Sequence, residues 1–270
     1  MKFDSNSAWQ QASATIGSNR EVLFALAGVF FLLPTLFFAL LFPQPAPPAG
    51  ADEKAMMAMA LDYYTSTIPV AVPVALVEAA GTLALLTLMT DRSRPTVGQA
   101  IRMGFAALFP YIVSQLLLGA GAGLAGLAIL AVLGLTGSKA VITAGLLALG
   151  VAGVYLWVRM SLSAPAVAVE GVRNPLHALR RSWALTRGNG WRVLAFYALL
   201  VLAFFFVITI LMALLGIVLG LLMPAKAAAI VSAVIGSTLQ STMALVLVGA
   251  VAATHAQLAG PEERIGPTFD

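Results

Sequence analysis

The sequence contains no cysteine, which excludes disulfides, thiol catalysis and thiolate-bound metals. It has only two histidines, His177 and His255, too far apart for a histidine-based metal site. No metal and no cofactor is expected. Charge is scarce as well: 10% of the residues are charged, against about 25% in an average soluble domain. Such a chain cannot cover a water-facing surface with polar groups. Disorder is excluded too, because it needs low hydrophobicity and high net charge. The 15 basic residues give a net charge of +4, but they are too few and too scattered to read as a nucleic-acid surface.

What the chain has is apolar length. Of its 270 residues 60% are hydrophobic, and the mean hydropathy is +0.96. A spanning helix needs roughly 20 mostly apolar residues. Six stretches qualify: 21–42, 67–90, 104–134, 140–163, 193–222 and 228–257. Gly137-Ser138-Lys139 links the third to the fourth, and Met223-Pro224-Ala225-Lys226 links the fifth to the sixth. Links this short make neighbours antiparallel. The expected fold is an all-α polytopic membrane bundle, with residues 1–270 as one integral membrane domain and six spans paired as three hairpins. Ala49-Gly50-Ala51 has the small-residue pattern of a leader cleavage site. The apolar run before it exceeds the usual 7–15 residues of a leader, so it reads as a span.

Basic residues set the orientation. Twelve of the fifteen fall on one side: Lys2, Arg20, Arg92, Arg94, Arg102, Arg159, Arg173, Arg180, Arg181, Arg187, Arg192 and Arg264. The other side holds Lys54, Lys139 and Lys226. Both termini are therefore expected in the cytoplasm, and 43–66 is the one sizeable outer loop. That loop opens Pro43-Gln44-Pro45-Ala46-Pro47-Pro48, which favours extended geometry. The spacing of Met56, Met57, Ala60 and Tyr64 suits a short helix over 51–64, with an irregular loop as the alternative.

A short amphipathic helix is expected before each hairpin, at 7–18, 96–103 and 174–187. In the third, Asn174 reads as an N-cap with Pro175 at the first helical position, and Gly188-Asn189-Gly190 as the stop. Leu176, Leu179 and Trp183 share one face, which would sink into the headgroup boundary while arginines reach the phosphates. Arg180, Arg181, Arg187, Arg192 and Trp183 are the candidate headgroup-binding residues. The expected partners are anionic membrane lipids, with a homo-oligomer or an envelope protein as further possibilities. Glu170 is expected to form a structural ion pair with Arg173 or its neighbours and so orient this helix.

Inside the spans, Glu78 is the one ionisable residue near mid-depth. A charge there costs at least about 2.5–3.5 kcal/mol, so it must be paired, protonated or turned inward. Gln115 lies at matching depth and Gln240 somewhat higher, and a Glu78–Gln115 hydrogen bond is expected. Small residues in the run Gly119 to Gly126, Gly216 with Gly220, and more loosely Gly145, read as close helix contacts. No nucleophile–histidine–acid set and no phosphate-cradling Gly-Lys-Ser/Thr loop is present.

The stretch from Arg159 to Glu170, then Ala178-Leu179-Arg180-Arg181-Ser182-Trp183-Ala184-Leu185-Thr186-Arg187-Gly188 and Trp191-Arg192, resembles a known signature. It is similar to the membrane domain of some glycerophosphoryl diester phosphodiesterases and of stand-alone bacterial inner-membrane proteins of the YciC-like kind. The resemblance implies membrane residence and a lipid connection. In fused members the chemistry belongs to a separate phosphodiesterase domain, which this chain has no room for, so that activity is not carried over. The expected function is thus a non-enzymatic inner-membrane protein that contacts lipids or organises the envelope. The alternatives are a small transporter or channel that uses Glu78 as its coupling site, and a lipid enzyme built on Glu170, His177 and nearby arginines.

Overall fold

The computed structural model describes residues 2–43, 45, 50, 52–90 and 95–260. The Pro-rich stretch beyond Pro45, most of Ala49-Gly50-Ala51, loop arginines Arg92 and Arg94, and the tail with Arg264 lie outside these residues. All regular structure described is helical: α1 (Ser5–Ser18), α2 (Arg20–Leu41), α3 (Glu53–Thr90), α4 (Val97–Gly134), α5 (Lys139–Met160), α6 (Ser163–Ala168), α7 (Pro175–Leu185), α8 (Gly190–Leu222) and α9 (Ala225–Leu258). Six segments are long and apolar enough to cross a membrane: α2, α3, α4, Lys139–Ala168, α8 and α9. They coincide with the six stretches expected from sequence.

Two expected short helices are not separate. Residues 96–103 are the start of α4, which runs unbroken to Gly134. Thr96 and Gln99 form a reciprocal capping box there: the Thr96 N–H donates to Gln99 Oε1 at 2.8 Å, and the Gln99 N–H donates to Thr96 Oγ1 at 3.4 Å. Nothing between that cap and Pro110 breaks the helix. Likewise 53–64 is the beginning of α3, which passes through Pro69 and Pro73 without interruption.

Contacts group the chain into two compact units. The first comprises Met1–Ser18, Leu83–Leu200 and Leu247–Asp270. Here α1 lays Phe3, Ala8 and Ala12 against Val158, Val193, Phe196, Tyr197, Ala250 and Ala253. The Phe3 N–H donates to Asn189 Oδ1 at 2.8 Å. The Asp4 N–H donates to Gln257 Oε1, and the Gln257 amide donates back to the Asp4 carbonyl, each at 3.2 Å. Helix α4 packs on α5, α6 and α7. Of the glycines expected to bring helices together, Gly145 does so, with a Cβ there falling 2.2 Å from Leu133 Cδ1, but most do not. A Cβ at Gly119, Gly121, Gly123, Gly126, Gly216 or Gly220 would meet nothing within 4 Å.

The second unit comprises Asn19–Thr82 and Val201–Val246. Its α2 widens to a π turn over Gly28–Leu32, where the Leu33 N–H reaches the Gly28 carbonyl. Pro34 explains the widening: it has no N–H for the Phe30 carbonyl, and its ring crowds that oxygen. Ser241 of α9 donates to the Ala27 carbonyl at 3.1 Å. In hydrocarbon, side chains must satisfy backbone groups that a loosened helix frees. Gly81 lets α3 approach this turn: a Cβ there would lie 2.3 Å from Phe30 Cβ.

Candidate functional site

Two arrangements carry polar chemistry, one in each unit. In the second unit, Glu78 takes a hydrogen bond from the Thr35 hydroxyl at 3.2 Å, and its own carbonyl accepts from Thr82 at 2.9 Å. The expected Glu78–Gln115 bond is not formed. The Gln115 amide instead donates to Ser163 Oγ at 3.3 Å. Matching depth along two helices does not by itself make a pair. Half-buried Glu78 lines two partly open cavities of 860 and 590 Å³, both also lined by Thr35 and Gln240. Ser237, nearly buried, lines the larger one.

In the first unit the signature residues form a clasp. Arg159, at the end of α5, is 5% exposed. Its guanidinium donates to the carbonyls of Thr186 at 2.9 Å and Trp183 at 3.2 Å, and lies 4.0 Å from the centre of the Trp183 ring. It thus satisfies oxygens at the negative end of α7, where a cation is favoured. The clasp is reciprocal, because the Arg159 carbonyl accepts from Ser182 Oγ at 2.7 Å and Thr186 Oγ1 at 3.3 Å. Ser182 Oγ in turn accepts the Leu162 N–H at 3.1 Å. At the other end of α7, Asn174 Oδ1 accepts from the Leu176 and His177 N–H groups, as its position beside Pro175 predicts.

Glu170 closes the arrangement, with a partner other than the expected Arg173. Its carboxylate is gripped through both oxygens by Arg181, at 2.8 and 3.2 Å. His255 Nε2, 85 residues away, lies 2.8 Å from Oε1. Arg173 donates instead to the Ala106 carbonyl at 2.9 Å. Pro110 leaves that oxygen without its helical donor, which is why the arginine is drawn there. The chain leaves Glu170 through a turn at Gly171, whose φ of 71° only glycine adopts freely.

Residues 133–259 match the membrane domain of glycerophosphoryl diester phosphodiesterase. The match covers just under half of the chain. No curated protein and no solved structure matches the chain. The match is to the family's membrane domain and not to a catalytic domain. It contains the whole Arg159–Glu170–Arg181–His255 arrangement. In this chain the signature residues bind one another and pin α7 to its neighbours.

Helix α7 turns its small residues inward. It buries Ala178, Ser182 and Leu185 and leaves Leu176 and Trp183 52% and 44% exposed. Small residues permit the close approach that the clasp needs. Arg180, Arg187 and Arg192 are exposed, as is Trp191. Arg181, expected among the headgroup ligands, is committed to Glu170. Sequence reasoning gave no role to Arg159, Thr35 or His255. Arg159 carried one usable signal, an arginine closing an apolar span just before Ser161 and Ser163. The Glu170–His255 pair would be two-thirds of a nucleophilic triad. However, His255 Nδ1 is buried with no hydroxyl or other partner among the described residues. No group of three His, Asp or Glu side chains suited to a metal occurs among those residues either.

Burial alone would raise the Glu170 pKa, but hydrogen bonds from His255 and Arg181, with their charges, hold it below the usual carboxylate value. A folded value below the unfolded one means that the unfolded chain binds more protons in between. The bridge therefore adds stability above the ordinary carboxylate range, near pH 4.3 or so, and loses it as pH falls through the folded value. Melting of the purified protein should accordingly drop at acid pH. Glu170→Gln should melt lower at neutral pH and show a shallower acid loss. Parallel pH profiles for the two proteins would contradict the assignment.

Proposed function

We propose that this integral membrane protein is non-catalytic and holds anionic lipid headgroups with Arg180, Arg187 and Arg192, flanked by Trp183 and Trp191. The observation that supports it is the orientation of α7. Its large apolar side chains Leu176 and Trp183 face outward, its small residues face the protein, and the exposed Arg180 lies beside them. Each arginine near an anionic surface contributes about 1 kcal/mol, and indole rings favour the headgroup level. In this reading the arginine-rich side faces the cytoplasm of a bacterial inner membrane, and both termini lie there. The protein organises envelope lipid and does no chemistry on it. Replacing Arg180, Arg187 and Arg192 together by Glu, with Arg181 left intact, should reduce co-purifying phosphatidylglycerol several-fold. Unchanged anionic lipid in a folded triple variant would refute the reading.

A second reading is favoured by one observation, the two open cavities that reach Glu78. It makes the chain a small secondary transporter or channel with Glu78 as its coupling site. In proteoliposomes it expects an ion leak or driven flux that Glu78→Gln abolishes. Tight vesicles with either protein would remove it.

A further inference from the structure

The larger cavity of the second unit has the volume of a small-molecule site, 860 Å³, within the usual 300–1,000 Å³ or so. Its chemistry is one-sided. Glu78 is the sole charged residue lining either cavity; neither has a lysine, arginine or histidine among the described residues. The Glu78 carboxylate takes one side-chain hydrogen bond among the described residues, from Thr35. An anion has no counter-charge here and would meet a carboxylate. Aromatic rings are abundant: Phe38, Phe42 and Tyr63 line the larger cavity, and Phe31 and Phe205 the smaller. Phe38 and Phe42 sit 5.4 Å apart. Tyr63 is fixed by donating its hydroxyl to the Phe42 carbonyl at 2.9 Å. Ring faces attract cations, and a carboxylate among aromatics is the arrangement that recognises quaternary ammonium groups.

We infer that the cavity around Glu78 is a binding site for an organic cation with an apolar body, such as an amphiphile bearing an ammonium group. The cationic centre lies against the Glu78 carboxylate, and the apolar part lies along the phenylalanines. The bound cation offsets the cost of keeping a carboxylate charged inside hydrocarbon. Thr35 and Gln240 supply hydrogen-bonding groups to the polar end from both cavities. The site is opposite in preference to the arginines of α7 and does not depend on them.

The test uses the full chain in nanodiscs and tritiated tetraphenylphosphonium, a permanent cation with an apolar body. Binding to empty nanodiscs is subtracted. Saturable binding near one per chain is expected, with affinity falling about tenfold or more in Glu78→Gln, where the charge is lost. Glu78→Asp, which keeps the charge, should retain most of the affinity. The isosteric anion tetraphenylborate should show no saturable binding, and the triple arginine variant should bind the cation as wild type does. If Glu78→Gln does not fold, Ala75→Phe fills the cavity, leaves the carboxylate in place, and should cause the same loss. Equal binding by folded Glu78→Gln or Ala75→Phe, or equal binding of the anion, overturns the inference. Binding without any flux would remove the transporter reading and leave this one standing.

Discussion

Replacing Arg159 with methionine should cost about 3 kcal/mol of stability, because it removes two charge-assisted hydrogen bonds and a cation–π contact from a buried site. Methionine replaces the aliphatic stem, so the loss falls mainly on the contacts of the guanidinium. The two carbonyls at the end of α7 lose their charged donor, and the Trp183 ring loses its cation. Lysine should recover less than half of the loss. A guanidinium presents a planar fork to two oxygens at once, and an ammonium is a point charge that is harder to desolvate. Equilibrium unfolding of each purified variant in mixed micelles measures the difference. Wild-type stability in Arg159→Met would mean that the clasp does not hold α7 in place.

Gly81→Leu should be at least as damaging, and it should act through a different unit. A Cβ at position 81 falls 2.3 Å from Phe30 Cβ and 2.7 Å from Phe30 Cγ. Those atoms sit at the root of a buried side chain, so the π turn itself has to move. Overpacking of this kind costs typically about 1–3 kcal/mol for small additions, and leucine adds three further carbons. The same substitution at Gly123, where a Cβ would meet nothing within 4 Å, should be neutral or mildly stabilising through helix propensity of about 1 kcal/mol. Unfolding of the two variants side by side gives the comparison. A folded, fully stable Gly81→Leu would contradict the close approach of α3 to α2.

The contrast between those glycines shows what the sequence could and could not convey. Spans were legible because a bilayer requires about 20 apolar residues in a row, and the caps at Asn174 and Thr96 were legible because they are local. The buried face of α7 was not. In water a helix hides its large apolar side chains, and by that rule Leu176, Leu179 and Trp183 would form its buried face. Where lipid is the solvent, large apolar residues can face outward while Ala178 and Ser182 pack inward. The stripe from Gly119 to Gly126 misled, since the tightest helix contacts fall at Gly81 and Gly145 instead. Partners far apart in sequence were also invisible. Nothing in the text around Glu170 points 85 residues ahead to His255. Arg173 was assigned to a nearby acid because nearness in sequence was the sole guide; the carbonyl it reaches was identifiable only through Pro110.

The claim that carries the rest is that the arginine-bearing segments lie on one side of a bilayer and the three outer lysines on the other. The absence of native cysteine makes this directly measurable. Single cysteines placed at Arg187 and at Lys139 are labelled with a membrane-impermeant maleimide, first in intact cells and then after lysis. The account predicts that Lys139→Cys reacts in intact cells and that Arg187→Cys reacts only once the membrane is opened. Labelling of both from the same side would contradict it.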